Sequence, residues 1–319
     1  MTSNTKILDS RRQYPLHTAA REGNTERVIF LIQQGFSVNH SDPALVKPLH
    51  ETKILDSRRQ YPLHTAAREG NTERVISLIQ QGFSVNHSDP DLVKPLHEAC
   101  FHGRLQCVKI LLENDAEVNA RNIDGATPLC DAASSGHINC LELLIAKGAR
   151  VNPVLLLSSP LHEAALRDQW ECIDILSKAG ANLNASDCHY GTALHITANQ
   201  GFINSTEVLL RAGASVNAVK THSTPLHEAA LKQDIDFLGL LLEYGANVFA
   251  RNNKGLQAID LISSSTNPSK ELLLYWMNTV PKLTYITRQV IRRQLGQTGL
   301  MNIDQLMLPK LLKNYIEHR

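Results

Sequence analysis

The chain reads Thr224-Pro225-Leu226-His227-Glu228-Ala229-Ala230, and the same segment closes with Gly245-Ala246-Asn247. The tripeptide Pro-Leu-His, or a close variant of it, returns along the 319 residues at a spacing of 32 or 33, with one shorter step of 14. Its first position falls at Pro15, Pro48, Pro62, Pro95, Pro128, Pro160, Ala193, Pro225 and Ala258. A fixed period of this length is typical of a solenoid of stacked repeats.

Each repeat predicts two helices. Pro128 suits the first helical turn, because its missing N–H would have no partner there, and Gly136 ends this first helix. Residues 137–145 carry apolar side chains at helical spacing, and Gly148 ends this second helix. A short extended arm over 149–152 then leads to the next repeat.

The Thr-Pro-Leu-His and Gly-Ala-x-Val-Asn motifs resemble those of the ankyrin repeat family over roughly 250 residues. The resemblance implies an all-α fold, an ankyrin-repeat solenoid with short β-hairpin fingers. It also implies that the array binds another protein through finger tips and exposed positions of the first helices.

The composition excludes several classes of function. The net charge of +1 gives no general reason to expect a nucleic acid partner. No stretch approaches the roughly 18 apolar residues of a membrane span, and the first residues lack the apolar core of a secretion signal. We therefore expect an intracellular, cytoplasmic protein without a membrane or nucleic acid partner.

The repeated histidines and cysteines predict packing rather than chemistry. Cys107, Cys140 and Cys172 occupy one position of successive repeats, which favours buried, reduced thiols over metal ligands or disulfides. The histidines likewise hold one position per repeat: His17, His50, His64, His97, His162, His195 and His227. We expect no metal, no cofactor and no catalytic site, so an enzyme is the least favoured interpretation.

Part of the N-terminal region is an internal copy. Residues 5–51 and 52–98 are identical at 45 of 47 positions, which indicates a very recent duplication or an error in assembling the gene model. The first copy ends by starting a repeat that is cut off at Glu51. This predicts a poorly packed connector from Pro48 to Gln60 and an N-terminal unit over 1–60 that is weakly coupled to the array.

Candidate residues for binding a target lie where the repeat pattern leaves the residue type free. The tip Leu155, Leu156 and Leu157 is apolar where the family usually places polar residues, and it either packs against the adjoining finger or forms a recognition patch. Leu231 occupies a permissive position near the end of a first helix. The other candidates on tips and first helices are Phe101, Ile123, Arg167, Tyr190 and His222.

The tail differs from the repeats. Residues 281–319 carry a net charge of +5, after a predicted capping helix from about Ser269 to Met277. A first tail helix, ended by Gly296, has an apolar stripe that Arg288 and Arg292 point away from. A second element opens with Leu306-Met307-Leu308-Pro309 and continues with a second apolar stripe, formed by Leu312, Tyr315 and Ile316. So few residues cannot bury both apolar stripes internally, and at least one stripe therefore needs a partner.

The tail resembles the SOCS box, and the whole chain resembles the ankyrin repeat and SOCS box family. The resemblance implies an elongin-binding box over 283–296 and a cullin-binding box over 306–316. The matching elongin-box positions are Leu283, Ile286, Thr287, Val290 and Ile291, and the matching cullin-box positions are Leu306, Leu308, Pro309, Leu312 and Tyr315.

Two tail residues depart from the family pattern. Thr287 stands where the family usually has Cys, and its hydroxyl weakens an apolar contact unless it finds a hydrogen-bond partner. Met307 replaces the first proline of the cullin-binding motif, which bears on the choice of cullin.

The sequence thus predicts an N-terminal unit over 1–60, an array with its cap over 61–280 and a SOCS box over 281–319. The favoured hypothesis is a non-catalytic substrate-recognition subunit of a ubiquitin ligase, with elongin B, elongin C, a cullin of the cullin 5 type with its RING partner, and a target protein as partners. The alternative is an ankyrin scaffold that recruits no ligase. A tail that only caps the solenoid explains one amphipathic helix but not two boxes in order.

Overall fold

The computed structural model describes residues 61–153, 159–187, 189–220, 223–263, 267–279, 283–306 and 308–317. The chain divides into two units, Met1–Ala66 and Ala67–Arg319. The duplicated first copy and the predicted connector from Pro48 to Gln60 lie outside the described residues.

Most of the described chain consists of paired helices, one pair per repeat. The pairs are α1 (Pro62–Glu69) with α2 (Thr72–Gln80), α3 (Pro95–Phe101) with α4 (Leu105–Glu113), α5 (Pro128–Ser134) with α6 (Ile138–Ala146), α7 (Pro160–Leu166) with α8 (Trp170–Lys178), α9 (Ala193–Gln200) with α10 (Ile203–Ala212), and α11 (Pro225–Lys232) with α12 (Ile235–Glu243).

The helices form two layers. From α3 to α11 each first helix packs on the first helix of the next repeat, and from α2 to α10 each second helix packs on the next second helix. Small side chains allow the close approach of the first helices: Ala99, Ala132 and Ala164 have no exposed surface. The predicted ankyrin-repeat fold is therefore confirmed, and we call these helix pairs the array.

The repeated histidines join neighbouring repeats. His162 Nε2 lies 2.9 Å from Gly191 O, and His227 Nε2 lies 3.1 Å from Leu256 O. Nδ1 of His227 accepts a hydrogen bond from the backbone N–H of Thr224, which leaves the Nε2 proton for the carbonyl of the following repeat. The histidine position is thus structural, and its bond links one repeat to the next.

A second connection repeats along the ends of the second helices. Asn119 Nδ2 donates to Gly148 O at 3.3 Å, while its Oδ1 accepts from the N–H of Arg150 at 2.8 Å. Asn152 and Asn217 each make the same pair of bonds to the repeat that follows them. Each asparagine therefore satisfies two backbone groups of its neighbour and holds the spacing of the stack.

The structure describes parts of the predicted fingers and most of the cysteines. Among the described residues the fingers carry only isolated bridges, Asp187 with Gly191 and Lys220 with Ser223, rather than a sheet. The described cysteines are free and buried, as predicted: Cys100, Cys107, Cys130, Cys140 and Cys172. No helix in the described part of the chain has the length and apolarity to cross a bilayer.

After the array come a 3₁₀ turn (Ala258–Leu261), the capping helix α13 (Pro268–Asn278), the long helix α14 (Leu283–Met301), a 3₁₀ turn (Ile303–Gln305) and α15 (Lys310–Glu317). We call the segment from α14 to α15 the tail module. Gly296 leaves helical geometry, with φ 61° and ψ −170°, so it ends the first segment of α14 as predicted and places a kink there. Beyond the kink, Gln297 bonds to the array and Leu300 lies in the tail core.

The histidine position gives a prediction for stability against pH. Burial lowers the pKa of His97 to about 4, so between about pH 6.5 and 4 the unfolded chain binds a proton that the folded chain does not. The free energy of unfolding therefore falls as the pH is lowered through this window. We expect His97→Cys, which copies the residue type of Cys130 in the next repeat, to lose about 1–2 kcal/mol at pH 7 but to show a shallower acid loss. Chemical denaturation between pH 7.5 and 4 measures both effects, and identical acid slopes in the two proteins would contradict the prediction.

Candidate protein-binding surfaces

One face of α14 rests on the array. Its side chains donate to carbonyl oxygens in the last turns of α12 and α10 and in the turn that follows α8. The pairs are Tyr285 Oη with Leu242 O at 2.9 Å, Gln289 Nε2 with Glu243 O at 2.9 Å, Arg292 Nη2 with Leu210 O at 2.5 Å, and Gln297 Nε2 with Ala181 O at 2.7 Å. The last carbonyls of a helix have no donor inside it and form its negative end, so they suit a row of donors.

Arg292 occupies the centre of this contact. Its side chain also donates to Ile316 O at 2.8 Å, in the last turn of α15, and its guanidinium lies 5.0 Å from the ring centre of Tyr244. Only 7% of Arg292 is exposed, and burial lowers the pKa of its guanidinium below the ordinary value. The sequence interpretation placed Arg292 only off the apolar stripe, and the structure buries its side chain between the array and α15.

A second face of α14 belongs to a small core within the tail module. Leu300, Ile303 and Ile316 are buried there. The side chains packed against them are Ile291, Leu295, Leu306, Leu308, Leu312 and Tyr315. Six residues that include most of the predicted cullin-box positions thus hold α14 and α15 together.

A third face of α14 is uncovered. Ile286 is 43% exposed and Val290 is 50% exposed, one helical turn apart. The backbone of Leu283 begins the helix, and its side chain lies outside the described part of the structure. The apolar stripe predicted on α14 is thus divided: Ile291 packs inside the tail module, and the strip formed by Ile286 and Val290 remains open.

Thr287 lies at the edge of the open strip. Its hydroxyl is 3.0 Å from the hydroxyl of Tyr315, and the guanidinium of Arg288 lies 4.6 Å from the centre of the Tyr315 ring. The hydroxyl introduced by Thr287 is therefore hydrogen-bonded to α15, which offsets the desolvation cost expected from the sequence.

On α15 the most exposed apolar side chain is one that the sequence interpretation missed. Leu311 is 84% exposed, and the preceding Pro309 is also exposed. The pattern Leu312, Tyr315 and Ile316 defines the buried stripe, and Leu311 lies outside it. Met307 is outside the described residues.

The array presents several of the predicted target-binding candidates. Ile123 is 64% exposed, and Phe101 and Tyr190 are close to half exposed. Arg167 is exposed as well, and Leu231 is exposed at the position of α11 that matches Phe101 of α3. Leu155, Leu156, Leu157 and His222 lie outside the described residues, so the two interpretations of the leucine-rich tip stay open.

Carboxylates also recur on the first helices, one position after the histidine or, for Asp131, after the Cys130 that replaces it: Glu98, Asp131, Glu163 and Glu228. Burial raises the pKa of Asp131 to about 7, and repulsion from Glu163 and Glu98 adds to the shift. Burial likewise raises the pKa of Glu98. The first-helix layer therefore combines exposed apolar side chains with carboxylates, two of which have pKa values that burial raises.

Comparisons with known proteins show which protein families the chain resembles. The family model described as "Ankyrin repeats (3 copies)" matches at 38–122, 63–154, 114–187 and 161–252, together more than half of the chain. A single "Ankyrin repeat" model matches 12–43, and the "SOCS box" model matches 279–317. Array and tail module thus define an ankyrin-repeat protein with a C-terminal SOCS box.

The relatives agree with this class. Ankyrin repeat and SOCS box protein 5 of Mus musculus is 38% identical over 161 residues, covering 50% of this chain and 49% of the mouse protein. Ankyrin repeat and SOCS box protein 9 of the same species is 37% identical over 168 residues, covering 52% and 57%. The chain therefore spans about half the length of these relatives.

A solved structure shares the fold of the array. The crystal structure of the human ASB11 ankyrin repeat domain matches with a TM-score of 0.64 and 37% identity, covering 69% of this chain and 99% of that one. The chain belongs to the ankyrin repeat and SOCS box family.

The Asp131 carboxylate gives a prediction for the array. Because the folded chain keeps the Asp131 proton up to about pH 7 and the unfolded chain releases it near pH 4, stability falls as the pH rises through that window. We expect Asp131→Asn to be more stable than the wild type by about 1–2 kcal/mol at pH 8 and to lose this advantage at pH 4. Urea unfolding at both pH values tests it. Asp124→Asn, on an exposed fingertip, is the control, and a pH-independent effect of Asp131→Asn would refute the assignment.

Proposed function

We propose that the chain is the substrate-recognition subunit of an elongin B/C–cullin–RING ubiquitin ligase. In this proposal the array binds a target protein, and the tail module docks onto elongin C, with elongin B, and onto a cullin of the cullin 5 type. The chain itself performs no chemistry. It raises the local concentration of the target near a ubiquitin-loaded enzyme.

The observation that supports this proposal most strongly is the open strip on α14. The other two faces of α14 are already covered, by the array and by the tail core. The exposed side chains of Ile286 and Val290 therefore form an apolar surface that suits a partner protein. The strip lies within the segment that the SOCS box model matches. Leu283, one turn before Ile286, extends it in sequence.

The two predicted boxes take different roles in this proposal. Ile286 and Val290, with Leu283, contact elongin C directly. Leu306, Leu308, Leu312 and Tyr315 act by shaping α15, because they pack inside the tail module. The exposed Pro309 and Leu311 are then the side chains that contact the cullin.

For the array, the proposal assigns target binding to the exposed candidates. Phe101, Ile123, Arg167 and Tyr190 all lie on fingertips or at first-helix ends and are exposed. Leu231 joins them on the basis of its matching position in α11. Proximity labelling with the full chain is the experiment that would identify the target protein.

The proposed elongin contact is tested by substitutions that introduce a charge on the open strip. We expect Ile286→Glu and Val290→Glu each to weaken recovery of elongins B and C with the full chain by about 30-fold or more, as for a buried hot spot that gains a charge. Co-purification from cells that express both elongins measures this. Gln305→Glu adds the same charge elsewhere on the tail module and should behave as the wild type.

A wild-type chain that recovers no elongin would defeat the ligase proposal and leave the scaffold alternative. Recovery that is unchanged by either strip variant would also count against it, because the proposed contact would then lie elsewhere.

The cullin contact is tested by two neighbouring leucines. Leu311→Glu changes an exposed side chain, so we expect the elongins to remain bound while cullin binding is lost. Leu312→Glu places a charge in the core of the tail module, and both partners should be lost. Titration of the purified elongin complex with a cullin 5 fragment measures the difference, and full cullin binding by Leu311→Glu would refute this assignment.

A further inference from the structure

The contact between α14 and the array is built around a single charged side chain. The guanidinium of Arg292 bonds at once to the carbonyl oxygens of Leu210, at the end of α10, and Ile316, at the end of α15. A weaker bond reaches Arg211 O at 3.3 Å. Two helix C-termini, both negative ends of their helices, therefore converge on one cation.

Only an arginine fits this arrangement. A guanidinium offers donors in several directions of one plane, while an ammonium group is a single point at the end of its chain. The face of Arg292 lies over the ring of Tyr244, a contact that a planar cation makes best. The three groups that hold Arg292 come from the array, from α15 and from the turn after α12, so its position depends on all of them.

The array surface below α14 is shaped for this contact. Gly213 follows α10 with φ +97°, and a Cβ there would lie 2.9 Å from Leu300 Cδ1 and 3.3 Å from Gln297 Cα. Gly148 ends α6 in the same way, with φ +84°, but a Cβ there would meet nothing within 4 Å. Gly213 thus permits both the turn and the close approach of α14, while Gly148 serves the turn alone.

We propose that Arg292 is a positioning residue that holds the tail module at one fixed angle to the array. Tyr285 and Gln289 add bonds before it along α14, and Gln297 adds one beyond the kink at Gly296. The proposal rests on the proposed function only in that the tail module recruits a ligase. Where it does, the fixed angle limits which lysines of a bound target come within reach of ubiquitin.

The test measures the distance between the two parts in the full chain. Fluorescent amino acids replace Glu142 of α6 and Lys310 of α15, which are both exposed, and time-resolved energy transfer gives the distance distribution. We expect one narrow distribution for the wild type and a broader one for Arg292→Lys. Arg293→Lys makes the same change at the exposed neighbouring residue and should leave the distribution narrow. An equally narrow distribution for Arg292→Lys would overturn the proposal.

Alanine variants of Gly213 and Gly148 distinguish loss of the contact between α14 and the array from a general loss of stability. Gly213→Ala and Gly148→Ala strain the backbone in the same way, so we expect similar shifts of the unfolding midpoint from that cause. Only Gly213→Ala should broaden the distance distribution. Equal distributions for the two alanine variants would count against a close, fixed contact.

The result for Arg292 can be distinguished from the result for the proposed function. Elongin recovery is measured on the same variants, and Arg292→Lys should keep the open strip of α14 available. If the wild type binds no elongin, the ligase proposal fails while the distance measurement still decides the role of Arg292.

Discussion

The hydrogen bond from a repeat's histidine to a carbonyl of the next repeat, made by His97, His162, His195 and His227, is the interaction on which the architecture depends. It uses both ring nitrogens, one to close the first turn of its own helix and one to reach across, as at His162 and His227. The asparagine bonds at the far side, such as those of Asn152, fix the second layer at the same spacing. With both sides fixed, successive helix ends line up, and the array offers α14 a regular row of carbonyl oxygens.

The array could be predicted well from the sequence because the interactions that form each repeat are local and recur in every repeat. Proline at the first helical turn, glycine at the helix end and alanine at the tight contact each act within a few residues, and each recurs. Even the exception is informative: Cys130 takes the histidine position, and its thiol accepts from the hydroxyl of Thr127 instead. The reduced state of the cysteines followed from the same periodicity, since their positions step along the stack rather than converge.

The tail was harder to predict because its contacts are distant in sequence. On a helical pattern Gln289, Arg292 and Gln297 look like the polar side of an amphipathic helix, which usually faces water. Here they face carbonyl oxygens of the array, and no local signal marks that choice. The two leucines of α15, by contrast, differ as their helical spacing predicts: Leu312 shares the stripe of Tyr315 and Ile316 and lies in the tail core, while Leu311 is 84% exposed.

The contact of α14 with the array also joins parts of the chain that are far apart. A stack of repeats has only nearest-neighbour contacts, so its ends can unfold separately. Gln297 bonds to Ala181, 116 residues earlier, and Arg292 to Leu210, 82 residues earlier. We expect these bonds to form only after α8 and α10 have formed, because the acceptors lie in the last turn of α10 and just after α8. The final placement of the tail module therefore requires that this part of the array has folded.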